Sequence, residues 1–344
     1  MRIGAAKNSY AADQALFDTH TQRAWLAILV AGLIAFPFIA GDYWLYLACL
    51  AAIQIISTTG LNILTGYTGL VSLGQAAFMG IGAYTAAILQ QHGVPSLVNL
   101  VAGGLVAMLA GLVVGLPSLR VKGLYLAIAT IAASFFTHFI FANWTQVTGG
   151  TGGLKVPPAH VFGLVLDSSF RLYWLIVPLA AAFLYFAANL FRTRVGRAFI
   201  AIRDRDISAG VLGISLLHYK LLSFAVSSFY AGVAGGLWAY FFRVITPESF
   251  PLQMSIFFLA AVIVGGLGTI AGSVFGALFM TLVPEVLKLI VGWLPLTNAV
   301  ALLSPVRTIV FGTLIVGFLI FEPHGLAEMW RRSRRFFHLW PFRT

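Results

Sequence analysis

A single cysteine, Cys49, stands among the 344 residues of the chain. An internal disulfide and a cysteine-rich metal site are therefore excluded, and the redox compartment stays open. Charge is scarce: 9% of residues are Asp, Glu, Lys or Arg, where a soluble globular chain carries roughly 25%. The length would suggest two or three globular domains, but there is no polar coat to solvate them. Enzyme patterns are missing as well. No Gly-rich loop ends in Gly-Lys-Ser/Thr, so the chain has no cradle for nucleotide phosphates. The nearest stretch, Thr148-Gly-Gly-Thr-Gly-Gly-Leu-Lys155, lacks the Gly-Lys pair and reads as a flexible or backbone-binding loop. A His-Glu-x-x-His helix, a Gly-x-Ser-x-Gly elbow and an acidic cluster for magnesium are also lacking, which argues against an intramembrane enzyme.

Apolar surface is abundant. Hydrophobic residues make up 60% of the chain, and the mean hydropathy is +0.94. A helix crosses a bilayer core with about 20 apolar residues. Such runs lie near 24–40, 43–64, 97–118, 123–142, 173–191, 218–242 and 303–321. Two Gly-rich stretches, 70–90 and 254–293, add crossings or re-entrant segments, and the longer has room for two. The expected fold is an all-α polytopic integral membrane protein with about eight to ten transmembrane helices.

The formal net charge of +11 would suit nucleic acid or an anionic membrane surface. The basic residues flank apolar runs, which favours the lipid bilayer and no nucleic acid. They gather at Arg2, Lys7 and Arg23, at Arg120 and Lys122, from Arg192 through Arg194, Arg197, Arg203 and Arg205 to Lys220, and at Arg331, Arg332, Arg334, Arg335 and Arg343. Basic residues in short loops stay cytoplasmic, and ten crossings put all four clusters on one side. Both termini are then cytoplasmic. The expected organisation is a cytoplasmic N-terminus (1–23), a transmembrane domain (24–321) and a basic tail (322–344). Within that domain, 143–172 is an outward segment and 192–217 a cytoplasmic loop. The first apolar run reads as a retained helix, because no small-residue cleavage site follows it. The tail, with Trp330, Phe336, Phe337 and Trp340 among its arginines, reads as an interfacial anchor on anionic lipid.

Helices in lipid associate through close backbone approach at small residues four apart. Gly111 with Gly115, Gly232 with Gly236, and Gly268 with Gly272 and Gly276 have this spacing. The stretch from Gly60 to Gly82 differs, because its glycines and polar groups lack a four-residue period. Polar groups and non-helical backbone at membrane depth occur inside the protein or along a water-filled cavity. Asn62, Thr65, Gly66, Ser72, Gly74, Gln75 and Gly80 are therefore candidates for a translocation path. A short echo, Gly69-Leu-Val-Ser-Leu against Gly266-Leu-Gly-Thr-Ile, would suit two halves of an internal repeat. Glu285 and Lys288, three apart on one helical face, are expected to pair with each other. His138 is a lone imidazole held within the bundle.

The loop Arg192–Ile214 is longer than a turn requires. Arg203, Asp204, Arg205 and Asp206 alternate in sign between apolar flanks, Ala198 to Ile202 and Ile207 to Leu212. One reading is a short surface helix that offers apolar knobs to a soluble subunit while its charges fix register. The other is a solvated basic loop that obeys charge topology.

These segments carry a resemblance. Gly60 to Ala87, with Gly66-Tyr-x-Gly-Leu-x-Ser-Leu-Gly-Gln-Ala-Ala-Phe-Met-Gly-Ile-Gly-Ala-Tyr84, resembles the signature stretch of the branched-chain amino acid ABC importer permeases. Gly196-Arg-Ala-x-x-Ala-Ile-Arg-Asp-x-Asp-x-x-Ala-x-x-x-Gly-Ile214 is similar to that family's cytoplasmic coupling segment. Thr148-Gly-Gly-Thr-Gly-Gly-Leu154 resembles its outward Gly-rich motif, with Gly152 where the pattern has a more polar residue. Lys220–Gly236 and Gly265–Gly276 continue the match, which runs from about residue 43 to 326 and looks more like the M-type than the shorter H-type subunit.

The resemblance implies an inner-membrane permease, itself no enzyme and without a cofactor. Its partners would be an H-type second permease, two ATP-binding subunits that hydrolyse ATP, and a periplasmic substrate-binding protein. Arg197, Ala201, Ile202, Arg203, Asp204, Ala209 and Gly213 would seat the ATPase. Branched-chain amino acids are the implied cargo, and permeases for urea and short amides share the same motifs. An ion-coupled secondary carrier is a third reading, opposed by the few carboxylates available, Glu285 and Asp42.

Overall fold

The computed structural model describes residues 20–119, 123–161, 163–292 and 325–339, with isolated positions between 309 and 320. In chain order the helices are α1 (His20–Ile39), α2 (Asp42–Asn62), α3 (Gln75–Gln91), α4 (Ser96–Gly115), α5 (Leu124–Asn143) and α6 (Ser169–Leu190). They continue with α7 (Arg194–Val211), α8 (Leu216–Phe242), α9 (Leu252–Gly265), α10 (Ile270–Gly292) and α11 (Gly325–Leu339). A helix is the expected answer to so apolar a sequence, because it satisfies backbone polar groups within one segment where lipid cannot.

Seven helices among the described residues are long and apolar enough to cross a membrane. They are α2 with its continuation to Tyr67, α4, α5, α6, α8, α9 with the turn that leads into it, and α10. The apolar part of α1, Ala24–Ile39, is shorter. Helix α3 has 17 residues, about 25 Å at 1.5 Å per residue. The Gly-rich stretch 254–293 forms two helices, α9 and α10, and 70–90 forms a non-helical lead-in followed by α3. The run 303–321 falls largely outside the described residues. So do Arg2, Lys7, Arg120, Lys122, Trp340 and Arg343.

Two helices are central. Over their membrane-length windows α2 is 83% and α8 72% buried, against 28% for α5 and α6. Sequence explains the contrast. Helix α8 carries Ser223, Ser227, Ala231, Gly232, Ala234 and Gly235 around its circumference, all buried, and a helix without a polar face is an interior helix. Phe136, Phe139 and Phe186 on α5 and α6 are exposed, as side chains in lipid contact can be, since lipid tails are as apolar as they are.

The tightest crossing joins α3, α4 and α8. A Cβ on Gly82 would overlap Gly232 O and Cα, and one on Gly103 would lie 2.7 Å from Gly82 O. The expected packing role of Gly111, Gly115, Gly232, Gly236, Gly272 and Gly276 is met. Gly111 faces Ser228, Gly115 faces Phe224, and Gly272 and Gly276 face Gly265 and Ala261. Gly268 departs from that set. It stands in the turn before α10, against Gly66 and Arg203 rather than a facing helix, because the four-residue spacing runs back past the start of the helix.

Segment 144–168 is built from short pieces. β1 (Leu154–Lys155) pairs antiparallel with β4 (Val244–Ile245), Leu154 opposite Ile245, and β2 (Ala159–Val161) pairs with β3 (Leu164–Leu166). The Thr148–Leu154 stretch, expected as a flexible or backbone-binding loop, is held by bonds within the chain. Thr148 Oγ1 donates to Phe141 O at 2.7 Å and accepts from Gly150 N–H at 3.2 Å, and the strand pair ties its far end to β4. At the opposite end of the bundle, a Cβ on Gly325 at the start of α11 would lie 2.6 Å from Gly266 N. Helix α7 reaches the same turn through Arg203, so the basic segments α7 and α11 share one end.

Candidate functional site

The site begins where α2 stops being regular. Residues Ile63–Tyr67 form one π-helical turn, a feature that frees backbone groups and is frequent at functional positions. Non-helical backbone then runs to α3. Its polar groups are satisfied by side chains: Leu73 N–H donates to Thr130 Oγ1 at 2.9 Å, Ser134 Oγ donates to Leu73 O at 3.0 Å, and Ala76 N–H donates to Ser255 Oγ at 2.9 Å. Gln75 Nε2 donates to Ser57 O at 2.8 Å, and Thr65 Oγ1 to Leu70 O at 3.2 Å. Gly74 N–H donates to Ser72 Oγ at 3.2 Å.

Asn62 joins this break to a second one. Its Nδ2 donates to Thr269 O and to Ser273 Oγ, both at 2.8 Å, and its Oδ1 accepts from Gly268 N–H at 2.9 Å. Gly66 lies beneath, where a side chain would overlap Asn62 Oδ1 and Gly268 N. Asn62 thus cross-braces the π turn against residues 266–269; of the short sequence echo only the second segment, Gly266–Ile270, takes part in these bonds, and the first, Gly69–Leu73, lies beyond the π turn.

All seven path candidates are buried. Asn62, Thr65, Ser72 and Gln75 are engaged within the chain, Gly66 fits under Asn62, and Gly80 lies against Phe141 and Phe250. Gly74 borders an apolar cleft of about 410 Å³ between α3, α4 and α5 that is also lined by Phe78, Tyr84, Val113 and Phe136. Away from the break, Glu285 accepts from Lys288 Nζ at 2.7 Å, the expected pairing, and also from the Tyr43 hydroxyl.

Helix α7 forms the second part of the site. Its first half is amphipathic, with Ala198, Phe199 and Ile202 buried. At Arg205 the backbone leaves helical values (φ −157°, ψ 99°) and the helix kinks. Beyond the kink Ile207, Val211 and Leu212 are 74%, 84% and 81% exposed. Arg203 points back into the bundle, its Nη1 donating to Gly66 O at 3.0 Å and its Nε to Asp204 Oδ1 at 3.1 Å. Of the coupling candidates, Arg197, Asp204 and Gly213 are exposed, Arg203 is partly exposed despite its bond into the bundle, Ala201 is half-buried, and Ile202 and Ala209 are buried. The sequence named two apolar flanks on this loop. Which one is free follows only from the packing of Ala198 to Ile202 onto the bundle.

The sequence as a whole is similar to known transport permeases. The family model described as "Branched-chain amino acid transport system / permease component" matches residues 43–319. The high-affinity branched-chain amino acid transport system permease protein LivM of Escherichia coli (strain K12) is 32% identical over 91% of this chain and 77% of its own length. A probable LivM of Methanocaldococcus jannaschii is 25% identical over 64% of this chain and 66% of its own. A probable LivH of the same organism is 26% identical over 67% and 66%. No solved structure matches.

Proposed function

The chain belongs to the branched-chain amino acid transport permease family, and from that premise we propose that it is the M-type permease subunit of an ATP-driven importer of leucine, isoleucine and valine. It is a multi-pass inner-membrane protein and a transport component rather than an enzyme. In this reading it pairs with an H-type permease, receives cargo from a periplasmic binding protein and sits on two cytoplasmic ATP-binding subunits. ATP chemistry belongs to those subunits, and this chain takes no cofactor. Both termini lie in the cytoplasm, which the shared end of the basic helices α7 and α11 supports.

The observation that carries the proposal is the form of α7. One face is packed and bonded into the bundle, while Ile207, Val211 and Leu212 stand exposed beyond the kink, after the exposed Asp204 and Arg205 in the chain. Exposed apolar knobs next to charge suit a groove on a soluble partner, where charge fixes register and buried apolar area supplies affinity. Arg197, Asp204 and Gly213 join the knobs on that surface, and Ala201, Ile202 and Ala209 support it from behind. The path candidates Asn62, Thr65, Gly66, Ser72, Gly74, Gln75 and Gly80 serve the passage by shaping the broken backbone, with Gly74 at the cleft.

The test is a pull-down of the tagged chain from its native membrane. ATP-dependent uptake of labelled leucine and of labelled urea then follows, in vesicles given the co-purified binding protein. Retained ATPase subunits with leucine uptake are expected. Urea uptake without leucine uptake would keep the architecture and change the cargo. Absence of an ATPase subunit would remove the importer reading.

A further inference from the structure

Arg203 lies in the segment that resembles an ATPase seat, yet its guanidinium faces the other way. The group fills the corner between the two breaks. Nη1 donates to Gly66 O at 3.0 Å, and a Cβ on Gly268 would come within 2.7 Å of Nη1 and 3.0 Å of Gly66 O. The aliphatic stem covers Gly69, where an added Cβ would lie 3.1 Å from Arg203 Cγ and 3.4 Å from its Cα. Gly69 and Gly268 both have left-handed backbone, φ +74° and +70°, so glycine is required there for conformation as well as for space. Asp204 Oδ1 accepts from Nε and orients the fork. On the far side of the same corner, Asn62 bonds the π turn to Gly268, Thr269 and Ser273.

We infer that Arg203 is a positioning residue that carries displacement of α7 into the paired breaks, acting on the permease interior and not on the ATPase surface. The inference rests on the importer reading above. Packed interiors pass on displacement because they do not compress. The bond from the partly exposed Arg203 side chain to the carbonyl of the buried Gly66 is charge-assisted, and so stronger than a neutral one. Because Asn62 braces the two breaks together, one guanidinium moves both, and with them the ends of α2 and α10. Ile207, Val211 and Leu212 make contact with the partner, and Arg203 converts that contact into helix movement.

The experiment uses the whole assembly, with wild-type chain, Arg203→Gln and Arg203→Lys, reconstituted in vesicles with the binding protein. Three quantities are read on each: ATPase subunits retained, ATP hydrolysed, and leucine taken up. In Arg203→Gln, retention and hydrolysis are expected to stay near wild type while uptake per ATP falls about tenfold, the scale of losing one hydrogen bond to a charged group. Arg203→Lys keeps a cation within reach of Gly66 O and is expected to recover part of the uptake. It decides the question on the same readouts should the glutamine variant not reach the membrane. A parallel loss of retention, hydrolysis and uptake would overturn the inference by placing Arg203 on the ATPase seat. Unchanged uptake per ATP would overturn it too. A wild-type chain that retains no ATPase would instead strike the importer reading, so the two failures are distinct.

Discussion

Lys220 Nζ stands 3.7 Å from Asp206 Oδ2, so the start of α8 holds the second half of α7 just beyond its kink. The lysine side chain is 5% exposed and the carboxylate 22%. Removing one partner of a buried pair costs ~3–5 kcal/mol, and the partial exposure of Asp206 brings the expected cost of Lys220→Met to about 2 kcal/mol. Thermal unfolding in detergent should show the loss, and adding Asp206→Asn should restore most of it. A double variant no more stable than Lys220→Met would mean that the pair does not anchor α7.

Two glycines of similar sequence context should respond oppositely to alanine. Gly82→Ala would drive a methyl into the backbone of Gly232, which cannot move aside, and is expected to cost ~3 kcal/mol or more, or to abolish accumulation of folded protein. Gly32→Ala in α1 meets nothing within 4 Å and should be neutral or stabilising by about 0.5–1 kcal/mol. Membrane abundance and melting temperature of the two variants make the comparison.

Asn62→Ala should destabilise by about 2–4 kcal/mol, because it leaves Gly268 N–H without its partner at membrane depth, leaves Thr269 O with only the Ser273 N–H and opens a void above Gly66. Asn62→Asp keeps an acceptor for Gly268 N–H but sets a carboxylate against Thr269 O, so it should be no milder. Melting temperatures of both variants check this, and a fully stable Asn62→Ala protein would show that the two breaks are held by something else.

Ile207→Asp combined with Val211→Asp changes only side chains that face away from the bundle. Folding and melting temperature should stay within about 0.5 kcal/mol of wild type, while ATPase subunits retained in a pull-down fall about tenfold, since buried apolar anchors dominate interface energy. Undiminished retention would place the partner elsewhere on the chain.

The bundle was largely legible in the sequence because apolar length and small-residue spacing are local signals. The runs at 43–64, 97–118, 123–142, 173–191 and 218–242 each became a helix within a few residues of where they were read. The work of Asn62 was not legible, since its partner Thr269 lies 207 residues away. Read alone, a buried asparagine among glycines suggests a passage wall, and only the fold shows it bracing two turns. Arg203 misleads for the same reason. An arginine in a basic loop reads as solvent-facing, which Arg203 partly is, but the acceptor that ties it to the bundle, Gly66 O, is 137 residues distant. The kink at Arg205 has no proline or glycine to announce it, and without it the flank that exposes Ile207, Val211 and Leu212 cannot be told from the packed one.

The lead-in to α3 has an electrical consequence. A cell membrane stores energy as an ion gradient, and any hydrated thread through it is a short circuit. Here the interrupted backbone is stoppered by hydroxyls of its own chain, Thr130, Ser134 and Ser255. If the proposed passage runs beside this lead-in, those same bonds are what insulates the gradient there.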